Sequence, residues 1–185
     1  MGHCSMTVVL PVISACGQEC CILPSAVLST HTGGFGKPAV VHLENSLEPM
    51  WRHWQEHNIT FDAIYTGYLG SVGAVEAACA VAEALLAPGG VLIVDPAMAD
   101  HGKLYSGFDA AYADAMKELC SMADVILPNI TEAAMFAGIA YQEELTREYV
   151  ETLLRNLGDV DVVLTGVGFA PDATGAAIRT RDGWG

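Results

Sequence analysis

Four consecutive apolar residues, 91–94 (VLIV), follow a Pro-Gly-Gly stretch and run straight into Asp95 and Pro96. A run of this length and β-branching reads as a strand buried on both faces, the kind that parallel sheets use. Proline cannot extend a sheet ladder, so the strand stops there and leaves the Asp95 carboxylate at its carboxyl end, where open α/β sheets bind ligands. Asp100 follows five residues later, inside the same stretch GVLIVDPAMADHGKLY, 90–105. Two carboxylates on one short loop suit a hard cation carrying phosphate, because magnesium keeps waters and takes one or two protein carboxylates. A solvated turn would use aspartate equally well, so spacing alone leaves both readings open.

The rest of the chain repeats this alternation of apolar runs and helical periods. Residues 20–24, 62–66, 123–127 and 161–165 read as further strands of the same sheet. Before the first, Ser5 is placed to cap a helix with Val8, Val9, Val12 and Ile13 as its stripe, kinked at Pro11 and ended by Gly17. After it comes a glycine-rich loop, 29–37, in which His31 and Thr32 stand beside Gly33 and Gly34, so that imidazole, hydroxyl and bare backbone can meet a small polar ligand. Residues 39–43 read as a flap or an edge strand, and 46–57 as a helix whose Trp51 and Trp54 pack inward. The strand at 61–67 opens through Tyr68 into a helix with Val72, Val75, Cys79, Ala82 and Leu86 in phase. Asp109 is placed to cap the next helix and Thr146 the last one, and residues 173–185 read as a final strand. Asn129 and Glu132 have the spacing of a reciprocal N-terminal capping box; the same carboxylate, at the end of a strand, could instead orient phosphate or a metal-bound water. Strands alternating with helices make the expected architecture a single α/β domain over 1–185, a three-layer α/β/α fold with a mostly parallel sheet between helices.

Composition narrows the partners. Twenty-two acidic against eight basic residues give a formal charge of −14, which argues against nucleic acid or an anionic membrane surface. A nucleotide on such a chain has to be held by a cation, by backbone amides and by helix N-termini. No charged segment followed by an apolar one marks a leader, and no apolar run approaches membrane-spanning length, so the cytoplasm is the expected location. The six cysteines form no CxxC pair and read as reduced thiols. The dinucleotide fingerprint GxGxxG after a strand and the Walker A sequence are both absent.

Taken in order, GHCSMTVVLPVISACG, LSTHTGGFG, YTGYLGS, VDPAMADHGKLY and LPNITEA resemble the pyridoxal kinases of the ribokinase-like superfamily, over essentially the whole chain. The resemblance implies phosphorylation of pyridoxal, pyridoxine or pyridoxamine by ATP with magnesium, with potassium as a further cation to consider, in a homodimer. It implies that His31, Thr32, Gly33 and Tyr68 lie at the vitamin, that Asp95, Leu127, Asn129, Glu132 and Thr165 lie at the nucleotide, and that Asp100 and Glu132 serve the metal. Leu127 stands where many members have threonine, which leaves only backbone or apolar contact there.

Two family features do not occur in these 185 residues: a strand ahead of the segment that begins at Met1, and a GTGD-type motif beyond Gly185 that supplies the catalytic base and the amides around the transferred phosphate. The chain as given is therefore expected to be inactive, with no catalytic base of its own. Two other readings stay beside pyridoxal kinase: the related hydroxymethylpyrimidine kinase, which shares the fold and the NxxE signature, and a non-catalytic binding or dimerisation remnant.

Overall fold

A computed structural model describes residues 5–31, 35–170, 172–181 and 183–184. The chain opens with α1 (Met6–Ala15), then a two-stranded antiparallel ribbon of β1 (Ala26–Leu28) and β2 (Val40–His42), then α2 (Glu44–Glu56). Alternation follows: β3 (Phe61–Thr66), α3 (Val72–Leu85), β4 (Leu86–Val94), a small hairpin of β5 (Ala99–Asp100) and β6 (Lys103–Leu104), α4 (Ala110–Met122), and β7 (Val125–Ile126). The chain continues through α5 (Ile130–Ala137), α6 (Arg147–Arg155), β8 (Asp161–Ala170), β9 (Ala173–Thr180) and β10 (Gly183–Trp184). The central sheet has the order β10-β9-β8-β7-β4-β3, parallel from β3 through β8 and antiparallel in its last two pairings. This is the mostly parallel α/β sheet flanked by helices that the apolar runs predict.

Local chemistry sets the boundaries. Ser71, Asp109 and Thr146 each accept a backbone N–H from three residues on and so cap α3, α4 and α6. Ser5 also stands at a helix start, but its φ is +53° and its hydroxyl makes no capping bond. Gly138, at φ +66°, closes α5 in the left-handed conformation that glycine adopts without penalty.

One expected strand is not there. Residues 20–24 carry no strand; the first begins at Ala26 and pairs with β2 outside the central sheet. Pro24 lacks the N–H that a ladder needs, and the apolar character of Leu23 is used instead in packing near Trp51, Val81 and Leu85. Leu86, expected on the stripe of α3, is instead its C-terminal cap at ψ 126° and the first residue of β4. The strand expected over 123–127 is two residues long, with the Asp124 carboxylate accepting the Leu92 N–H in place of a ladder bond.

Alternate strand residues face the core. Leu92, Val94, Ile126, Val162 and Leu164 are buried and join residues of α3, α4, α5 and α6 in one hydrophobic cluster. Trp51 carries α2 into a second cluster with Val81, Leu85 and Phe61, so the tryptophan is a packing residue. Their strand neighbours in the other phase are open: Tyr65 is 40% exposed, Val91 38% and Ile178 44%, and none belongs to either cluster. The described cysteines are free thiols, Cys120 buried and Cys16 and Cys21 at the surface. Among the described residues no helix is long and apolar enough to cross a membrane.

Candidate active site

The carboxyl ends of β4 and β7, with the middle of β8 beside them, deliver side chains to one cleft of about 290 Å³, lined by Asp95, Ala97, Tyr105, Leu127, Asn129, Glu132 and Thr165. Its frame is backbone. Asp95 N–H donates to Thr66 O at 3.0 Å, Leu127 N–H to Val94 O at 2.9 Å and Thr165 N–H to Pro128 O at 2.9 Å, so the ladder continues past the ends of the strands and holds the residues after them in place. Asn129 and Thr165 are bridged in the same parallel sense.

Asn129 and Glu132 form the capping box that their spacing predicts. Asn129 Oδ1 accepts from the amides of Thr131 and Glu132, at 2.9 and 3.0 Å, and its Nδ2 donates to Ala99 O at 2.7 Å. Glu132 is 1% exposed. Its Oε2 accepts from Asn129 N–H at 2.9 Å, and its Oε1 from Met98 and Ala99 N–H at 2.8 and 3.2 Å. One carboxylate thus fastens both the start of α5 and the loop that leaves β4. Burial pushes its pKa up, with a smaller push from the Asp95 charge, while the amides of Asn129, Met98 and Ala99 oppose the shift.

Asp95 is less enclosed and less engaged. Its Oδ1 accepts from Ala97 N–H at 3.2 Å and its Oδ2 from the Tyr65 hydroxyl at 3.3 Å. Burial raises its pKa and the two donors pull it back. Burial and the Asp95 charge together push the Tyr65 phenol up to about 12, so it remains a donor. Burial, then the charges of Glu132, Asp100 and Asp95, also raises the Tyr105 phenol. Ala97 sits at φ +34°, a conformation that a non-glycine residue adopts only where its surroundings impose it, and here it lines the cleft. Among the described residues no three acidic, histidine or cysteine side chains gather to hold a metal by themselves. The donor set fits magnesium nonetheless, since that ion takes one or two carboxylates and completes its shell with water and phosphate, and Asp95 offers a carboxylate with acceptor capacity to spare.

Five of the residues expected at the nucleotide, Asp95, Leu127, Asn129, Glu132 and Thr165, converge on this cleft. Asp100 does not line it: it stands on the β5–β6 hairpin with its side chain 57% exposed and its Oδ1 accepting the His101 N–H. Tyr68 is half-buried, its ring 5.6 Å from that of Phe108 and its carbonyl accepting from Ser25 Oγ, which ties the turn after β3 to the foot of the β1–β2 ribbon. His31 is exposed, and Thr32 and Gly33 lie outside the described residues. Tyr105, Ala97 and Tyr65 were not anticipated. A signal for Tyr105 existed: His101-Gly102, both at positive φ (50° and 74°), is the two-residue turn of a tight hairpin, which returns the chain so that Tyr105 N–H reaches Met98 O at 2.9 Å.

The family profile of phosphomethylpyrimidine kinases matches residues 43–178. A candidate phosphomethylpyrimidine kinase of Bacteroides thetaiotaomicron is 34% identical with a TM-score of 0.91, over 98% of this chain and 64% of that one, and a second crystal form of it was solved with pyridoxal. Pyridoxal kinase of Lactobacillus plantarum is 38% identical with a TM-score of 0.83, over 97% of this chain and 64% of that one. Pyridoxal kinase of Leishmania donovani, solved with ADP, shares the fold at 21% identity and a TM-score of 0.72, over 94% of this chain and 60% of that one. The chain therefore spans just under two thirds of the length of these relatives. A comparison with curated protein sequences returned no match.

Proposed function

Because the chain belongs to the phosphomethylpyrimidine kinase family, whose profile covers most of its length, we propose that the cleft binds the phosphates of ATP and that the acceptor is the hydroxymethyl group of a vitamin B6 compound. The observation that carries this reading is the meeting of Asp95, Asn129 and Glu132, beyond the carboxyl ends of β4 and β7, with Thr165 on the adjacent parallel strand β8. Magnesium, when bound, neutralises charge on the phosphates. Asp95 is the side chain with room to hold it, and the resemblance adds Asp100, which stands outside the cleft lining on the hairpin; Glu132 contributes by fixing the loop between them through Met98 and Ala99. Thr165 and Leu127 present hydroxyl and apolar surface to the rest of the nucleotide.

Pyridoxal is favoured over hydroxymethylpyrimidine by the loop 29–37 and by the Bacteroides relative solved with pyridoxal. Calorimetric titration of the chain with each compound is expected to give tighter binding of pyridoxal by about tenfold, a difference of about 1.4 kcal/mol. A preference for the pyrimidine would reassign the substrate. The proposed setting is the cytoplasm, with a homodimer as the assembly. Support for a dimer comes from α1, an apolar helix that buries none of its described residues, and from Val27 and Val41 on the β1–β2 ribbon, 56% and 60% exposed. The proposed chemistry of the 185 residues themselves stops at binding, because among the described cleft groups Glu132 is committed to backbone amides and Asp95 to the cation.

A further inference from the structure

The hairpin that carries Asp100 is too short to hold its own position. Its strands are two residues each, and isolated two-stranded hairpins are marginal even when long. Its outward side chains, Asp100 and His101, are 57% and 88% exposed and supply no packing. Ala99 is buried in the core and Leu104 packs against it, and the polar anchors come from α5 and the segment after it. Asn129 and Glu132 grip the foot of the hairpin at Ala99. The tip is gripped separately: Gly102 N–H donates to Thr131 Oγ1 at 3.0 Å, across 29 residues of sequence, and Thr131 is 2% exposed. On the other side of the tip lies the ring of Tyr141, so close that a Cβ on Gly102 would stand 2.8 Å from Tyr141 Cδ1. Tyr141 is itself held: on either side of it, Ala140 O accepts from the Tyr149 hydroxyl at 3.0 Å and Gln142 N–H donates to that hydroxyl at 3.2 Å, which fastens the segment to α6.

We propose that Thr131 is a positioning residue of this site: its buried hydroxyl, working against the Tyr141 ring, fixes the Gly102 turn and thereby the carboxylate of Asp100 for the metal that accompanies the nucleotide. This rests on reading the cleft as a phosphate and magnesium site and on the proposed assignment of Asp100, outside the cleft lining, to the metal. An ordinary threonine in the first turn of a helix has no need of a distant partner; here the hydroxyl serves a turn of another element. Because Asp100 Oδ1 accepts from the next amide, at 2.8 Å, its carboxylate moves with the turn. Losing the Thr131 acceptor leaves the Gly102 amide without its partner and the tip free to shift, while the foot stays fastened.

The test uses the full chain with Thr131→Val, which removes the acceptor, and Thr131→Ser, which restores it. Amide hydrogen exchange is followed at Gly102 without ligand, and ADP affinity is measured by calorimetry with and without magnesium. Thr131→Val is expected to speed Gly102 exchange by about tenfold and to reduce the gain in ADP affinity that magnesium brings by about three- to tenfold, as loss of one hydrogen bond allows. Metal-free ADP affinity should stay as in the wild type, and Thr131→Ser should recover both quantities. Gly102→Ala, which pushes the tip off Tyr141 with Thr131 intact, should reproduce the loss of the magnesium increment and covers the case in which the valine variant does not fold. Unchanged Gly102 exchange, an unchanged magnesium increment, or an equal fall in both ADP affinities would overturn the proposal. If the wild-type chain shows no magnesium increment, the reading of the cleft fails and the positioning role with it, while the exchange data still report separately whether Thr131 pins the turn.

Discussion

Replacing Glu132 by glutamine is expected to lower the melting temperature of the chain by about 5 to 15 °C, corresponding to about 2 to 4 kcal/mol in a domain of this size. The substitution keeps shape and volume, so any loss comes from the polar contacts. Glu132 accepts three backbone amides at 2.8 to 3.2 Å with both of its oxygens in use. Glutamine has one acceptor oxygen, so its NH₂ must face either the Asn129 amide or the pair from Met98 and Ala99, donor against donor in a site 1% exposed to solvent. Buried donors left without acceptors are among the few causes of large single-site losses. Thermal melts by circular dichroism decide it. A variant that melts within a degree or two of the wild type would show that the carboxylate is held for ligand chemistry and not for the fastening of α5 to the loop after β4.

The second large effect concerns turnover. The 185-residue polypeptide is expected to form pyridoxal phosphate more slowly than the Lactobacillus plantarum pyridoxal kinase by a factor on the order of 10² to 10⁴ from general-base help alone, with more lost if donors to the transferred phosphate are missing. Among the described residues three titratable side chains line the cleft, and each is unsuited to the task. Glu132 is committed to backbone amides. Tyr105 has its phenol pKa raised by burial and neighbouring acids, which keeps it protonated at neutral pH. Asp95 accepts from Tyr65 and Ala97 and is the side chain best placed for the cation. The GTGD-type motif that supplies the base in the pyridoxal kinases does not occur among these residues. A coupled assay with ATP, magnesium and pyridoxal, run beside the Lactobacillus plantarum enzyme, measures the ratio. Comparable rates would mean that another residue of this chain takes the proton.

The fold was legible where one physical signal dominated. Residues 161–165 carry the apolar, mostly β-branched run VVL with no proline, and they open β8, which continues to Ala170. Asp109 and Thr146 stand one residue before helical periods, and both cap. Residues 20–24 gave a similar apolar signal, but that signal does not say whether a segment pairs or packs; Pro24 removed the ladder donor, and Leu23 found its partners in side chains of α2 and α3. In the site, the ends of β4 and β7 were readable because chain order and β-strand length fix which residue comes next, so Asp95, Leu127 and Asn129 line one cleft; Thr165 lines it too, but from the middle of β8, which runs on to Ala170. Asp100 and Tyr105 show the limit. Which of them faces the cleft depends on the His101-Gly102 turn reversing the chain, and that depends on two positive φ angles which a residue count does not supply. Tyr65 was missed because its contact with Asp95 crosses from one strand to the next, which only the sheet order reveals.

The central claim is that the cleft at the ends of β4 and β7, beside Thr165 of β8, holds a magnesium nucleotide through Asp95. Calorimetric titration of ADP into the chain, with and without magnesium, for the wild type and for Asp95→Asn, tests it most directly. The expected result is one ADP per chain, bound more tightly with magnesium, and a loss of about 10- to 100-fold in the magnesium-dependent affinity of Asp95→Asn with its melting temperature little changed, since each factor of ten is about 1.4 kcal/mol. ADP binding that is indifferent to magnesium and to the Asp95 substitution, or no binding by a folded chain, would contradict it.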